Sequence, residues 1–210
     1  MKIEVKNLYK NFKKIPVLKN VNITFEAGKI YGLIGRNGSG KSVFLKILCS
    51  FYEPTSGEVL YNGENIVAKK KIPPSTRALI ENPNFLPDMS GYDNLYILAK
   101  IQNKIDKATI NETLKKVNLL DAKDKKYKEY SLGMKQKLGI AQVLMENPEV
   151  IILDEPFNGI ENSTVEDIRN ILLKEKQKGK LIIIATHIKD DIDKLVDEIY
   201  EFDDGEVFKK

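Results

Sequence analysis

The sequence predicts an α/β fold with an all-helical lobe inserted into it. Apolar runs of strand length alternate with amphipathic helical stretches at both ends of the chain, whereas the stretch from about Ser90 to Pro148 shows helical periodicity and little strand signal. A glycine-rich loop between a buried strand and a helix adds a third pointer to the same class. The 210 residues suffice for one large domain, or one domain with a modest second lobe.

Taken in order, Ile3, Val5 and Leu8, then Val17-Leu18 and the alternating Val21 to Phe25, read as strands before the turn at Ala27-Gly28. Ile30 to Ile34 is a buried strand, and Ser42 to Ser50 carries helical apolar spacing. Gly57 to Tyr61 reads as a strand ending at an Asn62-Gly63 turn, and Ala78 to Ile80 as a short one. Ser90, with Asp93 three residues on, caps a helix bearing Leu95, Leu98 and Ala99. Ile110, Leu114 and Val117 form a second stripe; Leu138, Ala141, Gln142 and Met145 lie along a third helix, ended by Pro148. Ile151 to Leu153 is again a strand. Ser163 to Glu166 reads as a capping box ahead of Val165, Ile168, Ile171 and Leu172, and Gly179 stops that helix. Leu181 to Ala185 is a strand and Ile188 to Val196 a helix, and Asp204-Gly205 turns a final hairpin.

Composition narrows the class. Apolar residues at 42% and charged residues at 30% are an ordinary globular mix. No apolar run reaches the roughly 18 to 20 residues of a membrane helix. The N-terminus alternates charged and apolar residues instead of forming a secretory segment, so the chain is expected in the cytoplasm. One cysteine, Cys49, permits no internal disulfide and reads as a core thiol. With 34 basic against 30 acidic residues, the charge is too even to argue for nucleic acid. The clusters Lys69-Lys70-Lys71 and Lys125-Lys126 read as solvated surface, with contact to anionic headgroups as the alternative.

Two motifs carry chemistry. Gly35-Arg36-Asn37-Gly38-Ser39-Gly40-Lys41-Ser42 fits the P-loop at every fixed position, between a buried strand and a helix. The glycines let backbone N–H groups converge on phosphate oxygens, and the helix N-terminus adds partial positive charge. Lys41 should reach the outer phosphates of ATP, and Ser42 should offer its hydroxyl to Mg²⁺. Val150 to Leu153 then leads into Asp154-Glu155, two carboxylates at the C-terminal end of a hydrophobic strand, the edge where open α/β sheets bind ligands. Asp154 suits Mg²⁺, and Glu155 suits the polarisation of an attacking water.

Kinases, small GTPases and helicases stay open on a P-loop alone. Tyr130-Ser131-Leu132-Gly133-Met134-Lys135-Gln136-Lys137, directly before a helix leading to Asp154-Glu155, resembles the signature motif of ABC ATPases. The resemblance covers essentially the whole chain. It implies a P-loop NTPase core of RecA-like type, with an N-terminal antiparallel β-subdomain and an inserted helical signature lobe. It implies a single ABC ATPase domain, with residues 1–84 and 149–210 forming the α/β lobe and 85–148 the helical one. In that family the signature serine and glycine, here Ser131 and Gly133, reach across a dimer to the γ-phosphate held by the partner's P-loop. Phe12 sits where the family stacks an aromatic ring on adenine. Gly35, Asn37, Gly38, Ser39, Gly40, Lys41, Ser42 and Val43 correspond to the nucleotide-binding segment. Asn158-Gly159-Ile160-Glu161 resembles the dimer-contact loop, and His187, the one histidine, stands at the switch position after a buried strand. Glu155, His187 and Lys41 are the implied catalytic residues; Ser42, Glu81 and Asp154 are the implied Mg²⁺ contacts.

The sequence departs from the family pattern in three places. Leu132 and Met134 stand where the signature usually has glycine and glutamine, Glu81 replaces a glutamine that contacts Mg²⁺, and Glu161 replaces an aspartate. The combination resembles the ATPase subunits of bacitracin- and lantibiotic-type peptide export and immunity systems. The resemblance implies a homodimer or heterodimer, integral membrane permease subunits as partners, no nucleic acid, and peripheral attachment at the inner face of the cell membrane. Pro83 to Met89 is the expected coupling surface, with Phe85, Leu86 and Met89 forming a groove for a helix of the membrane subunit. The competing readings are a soluble ABC-type ATPase of cofactor assembly and a nucleotide-gated regulatory module.

Overall fold

The computed structural model of the chain describes residues 1–69 and 71–210, and for Lys189 the backbone alone. The middle of the first lysine cluster, Lys70, thus lies outside the described residues; Lys69 and Lys71 both pair with Glu64, and Lys125 and Lys126 are exposed.

The N-terminal strands β1 (Lys2–Phe12) and β2 (Ile15–Glu26) pair antiparallel, and β4 (Ser56–Tyr61) and β5 (Glu64–Asn65) extend the sheet in the order β2-β1-β4-β5. Ile3, Val5 and Leu8 are buried beneath it. The bulge between Val5 and Leu8, with Asn7 at φ 47°, restores the inward register after an odd step. Between β2 and β4 lie β3 (Ile30–Gly35) and α1 (Lys41–Leu48).

The second sheet runs β10-β9-β3-β8-β7-β6, with β6 (Thr76–Leu79), β7 (Val150–Asp154), β8 (Leu181–Ala185), β9 (Glu198–Asp203) and β10 (Glu206–Lys209). Five of its strands are parallel and β10 adds an antiparallel edge through the Asp204-Gly205 hairpin. Every residue of β7 and β8 is buried, because both faces of the parallel sheet are covered. One face packs on the N-terminal sheet and α1. The other packs on the helices α2 (Gly91–Gln102), α3 (Lys107–Lys116), α4 (Leu132–Leu144) and α5 (Asn162–Gln177). Cys49 sits in the first of these cores, and burial pushes its thiol pKa up to about 12. Among the described residues no helix is long and apolar enough to cross a membrane.

Helices α2 and α3 start as their sequences require. Ser90 accepts the Asp93 N–H at 3.0 Å and Asp106 accepts the Thr109 N–H at 2.8 Å. The expected capping box at Ser163 does not form. Helix α5 begins earlier, with Glu161 at the cap, its carbonyl accepting the N–H groups of Thr164 and Val165 and no side chain completing the cap. Ser163 therefore lies inside the first turn, and Glu166 turns outward to Arg169 and to Lys194 on the short helix α6 (Lys189–Leu195).

Candidate functional site

The glycine-rich loop bridges β3 and α1. Gly35 ends β3 at φ 143°, where a Cβ would collide with the carbonyl oxygen of Phe202 on β9. Gly40 precedes α1 at φ 106°, where a Cβ would lie 2.9 Å from the carbonyl oxygen of Val17. Only glycine meets both demands. No side chain caps α1, so its first N–H groups are left to whatever occupies the loop. Beside the loop is a cavity of about 480 Å³ lined by Asn37, Gly38, Gly40, Lys41, Ser42 and Val43, and across from them by Glu81, Asp154 and Glu155.

Lys41 is buried, and its Nζ donates to the carbonyls of Gly35 at 2.7 Å and Arg36 at 3.1 Å. Burial lowers its pKa, partly offset by the negative charges of Glu155 and Asp154. Asp154 closes β7 and is also buried. Burial raises its pKa, the Ser42 hydroxyl beside it lowers it, and Glu155 raises it further. The Ser39 hydroxyl is buried with no hydrogen-bond partner. A buried ammonium turned back on loop carbonyls and uncapped N–H groups together form a cradle for an anion.

Glu155 follows Asp154 with φ 49°, the left-handed region that a glutamate seldom adopts. Its N–H is held by the Ala185 carbonyl at 2.8 Å. The turn sends its carboxylate away from that of Asp154 to His187, whose Nδ1 lies 2.9 Å from both carboxylate oxygens. β7 and β8 are neighbours in register, with Asp154 opposite Ala185, so the residues just beyond their ends meet.

The remaining expected residues divide. Glu81 lines the cavity, but its carboxylate pairs with Lys46 on the far turn of α1. Phe12 does not line the cavity; its ring packs edge-on against Tyr52 at 5.5 Å, with Lys10 Nζ 4.8 Å above it. Ser131 and Gly133 also lie outside the cavity, at the exposed start of α4, where Ser131 Oγ accepts the Met134 N–H at 3.3 Å. Phe85 and Leu86 line a separate groove with Pro87, Ile97 and Leu98, but Met89 does not; its carbonyl holds the Tyr127 N–H instead.

Val17, Asn82, Gln136 and Asn158 also line the cavity, and sequence reasoning did not assign them there. Gln136 left a signal. It shares a face of α4 with the buried Ile140 and Val143 and is itself buried, an amide where periodicity calls for an apolar residue. Val17 left none, since its backbone, not its side chain, closes on Gly40.

Residues 18–158 match the family described as ABC transporter. An uncharacterized ABC transporter ATP-binding protein of Bacillus subtilis is 42% identical over 203 residues, spanning 97% of this chain and 93% of that one. A bacitracin transport ATP-binding protein of Enterococcus faecalis is 37% identical, spanning 99% of this chain and 68% of its own length. A lantibiotic transport ATP-binding protein of Streptococcus pyogenes is 35% identical, spanning 98% and 88%. Among solved structures, the ATP-binding subunit of an ABC transporter superposes with a TM-score of 0.90 at 25% identity, covering 100% of this chain and 90% of that one. A dimeric bacterial ABC transporter cassette superposes with a TM-score of 0.88 at 25% identity, covering 99% and 97%. The chain thus belongs to the ABC transporter family, as the ATP-binding and ATP-hydrolysing subunit of a transporter.

Proposed function

We propose that two copies of this chain, or this chain and a paralogue, close head to tail on ATP and drive the export of a peptide antibiotic or similar hydrophobic compound. Integral membrane permease subunits hold the pair at the inner face of the membrane. The division into an α/β lobe over 1–84 and 149–210 and a helical lobe over 85–148 gives each copy a nucleotide face and a signature face. One observation carries the reading: Lys41 and Glu155 line the cavity, whereas Ser131 and Gly133 stand off it at an exposed helix start. A site built this way is completed by a second chain. The names of the bacitracin and lantibiotic transport relatives support the class of cargo.

In this reading Lys41 exchanges its two loop carbonyls for phosphate oxygens, and Phe12 offers a ring to the adenine. Gly35, Asn37, Gly38, Ser39, Gly40 and Val43 shape the phosphate cradle. Asp154 and the Ser42 hydroxyl are a sparse oxygen set of the kind Mg²⁺ accepts when phosphates and water complete its shell. Glu81, paired with Lys46 in this structure, would be a third oxygen donor, and the ion would supply positive charge against the phosphate oxygens. Glu155 orients a water and takes its proton as the water oxygen attacks the γ-phosphorus and the bond to ADP breaks, and the proton then passes to the released phosphate. His187 holds that carboxylate and faces the departing phosphoryl group. Positioning and electrostatics carry such a reaction.

Glu155→Gln tests the reading. The variant should bind ATP as the unmodified chain does, lose turnover by roughly 10²- to 10⁴-fold, and sediment at twice the monomer mass with ATP and Mg²⁺. Wild-type turnover, or a monomer under every nucleotide condition both alone and mixed with the paralogue, would overturn it.

A further inference from the structure

His187 is exposed and Glu155 partly so, yet their two side chains meet at hydrogen-bond distance. Something behind the pair has to set that meeting, and a buried polar group lies there. Thr186, immediately before His187, is 1% exposed, and its Oγ1 donates to Asp191 Oδ2 at 3.1 Å while accepting the Ile188 N–H at 3.1 Å. The same hydroxyl thus holds both flanks of His187. Asp191 is 1% exposed, and its other oxygen takes the Nε–H of Arg169 at 3.0 Å and a second bond from the same guanidinium. Arg169, buried in α5, also lies over the ring of Phe157, two residues beyond Glu155, with its Cζ 5.8 Å from the centroid. One guanidinium therefore packs against the segment that follows Glu155 and bonds the carboxylate that holds the residue before His187.

Burying an ion pair is a poor way to stabilise a fold, since desolvation consumes most of the Coulombic gain. Its advantage is geometric. Two bonds from a planar guanidinium converge on Asp191 Oδ1 and restrict how that carboxylate can turn, while its other oxygen holds the Thr186 hydroxyl.

We propose that Thr186, Asp191 and Arg169 are positioning residues for ATP hydrolysis: a strut from α5 that sets the orientation of His187 against Glu155. The inference rests on the role given to His187 above. None of the three strut residues lines the cavity beside the phosphate loop, and all three are buried. They act through the backbone that carries the pair.

Thr186→Val keeps the shape and removes the hydroxyl, and Thr186→Ser keeps the hydroxyl. Thr186→Val should lower kcat roughly 10- to 100-fold, the scale of an ångström of misplacement, with ATP affinity unchanged. Thr186→Ser should retain wild-type kcat. Because the chain has a single histidine, its imidazole gives one set of NMR signals. Those signals should shift in Thr186→Val and keep their place in Thr186→Ser, with both variants folded by circular dichroism. Arg169→Met, a harsher change, should reproduce the kcat loss. In a His187→Ala background, Thr186→Val should lower kcat no further. Full additivity with His187→Ala, or wild-type kcat in Thr186→Val, would overturn the strut while leaving the role of His187 intact. Wild-type kcat in His187→Ala alone would remove that role and the strut with it.

Discussion

At the scale of single residues, burial works against charge in the site. Asp154 is buried, and its pKa is raised by that burial. The folded chain therefore takes up a proton at Asp154 more readily than the unfolded chain does. This contribution favours the fold at acid pH and is lost as pH rises through the raised folded value. Lys41 acts in the opposite sense. Its lowered pKa means that burial of the charged ammonium opposes folding at neutral pH, and that this opposition fades only on the alkaline side. Burial thus opposes the charge on both groups, and nucleotide bound with Mg²⁺ would offset both. Asp154→Asn should accordingly melt about 2–4 °C above the unmodified chain in EDTA, as about 1 kcal/mol would give in a protein of this size. With ATP and Mg²⁺ the order should reverse, because the variant gains little from them. Calorimetry under the two conditions checks this, and a lower melting temperature in EDTA contradicts the burial argument.

At the scale of elements, α4 shows how one residue can serve structure and chemistry separably. Ser131 caps it through a long 3.3 Å contact, so the cap is a weak one, at the low end of the roughly 0.5–2 kcal/mol such residues contribute. Aspartate is an equally good cap, but it would place a negative charge where the proposed dimer brings a phosphate. Ser131→Asp should keep the melting temperature within about 2 °C and abolish turnover, whereas Ser131→Ala should lose a little of each. A turnover assay beside a thermal melt separates these outcomes. The elements themselves were legible because periodicity and caps are local: the strand before the phosphate loop, the Ser90 cap and the Asp204-Gly205 hairpin all form where the residues place them. The start of α5 was not. Ser163 and Glu166 have the spacing of a capping box, but Glu166 is drawn off by Arg169, one turn further along α5, and by Lys194, which packing brings there from α6. Glu81 teaches the same lesson within the site. Its place beside the cavity was readable from the motif, while its pairing with Lys46, 35 positions earlier, was not. The order of the second sheet, which places β9 beside β3, is likewise a non-local fact.

At the scale of the whole molecule, one further surface is the groove of about 430 Å³ between the segment after Glu81 and α2. Its residues divide by burial. Phe85 packs edge-on against Tyr127 at 5.3 Å, and the Tyr127 hydroxyl donates to the Pro83 carbonyl at 2.6 Å, so this wall ties the loop after Glu81 to the segment just before Ser131. Leu86 is 54% and Ile97 42% exposed, and neither is needed to close the core. A helix seated there would press on a loop that carries a cavity residue at one end and touches the approach to the signature helix at the other. That connection is what a coupling surface requires, and it motivates a paired experiment. Leu86→Asp should leave stability within about 0.5 kcal/mol, as exposed substitutions do, and leave the ATP turnover of the isolated protein unchanged. It should also abolish co-purification with the membrane subunits, because an apolar helix would have to bury the new carboxylate. Phe85→Ala should behave differently, losing about 1 kcal/mol from the aromatic pair alone and changing turnover even without a partner, since it loosens the tie to Glu81. If Leu86→Asp still held the membrane subunits at wild-type levels, the coupling helix would have to seat elsewhere, and the groove would be a by-product of packing α2 against the loop.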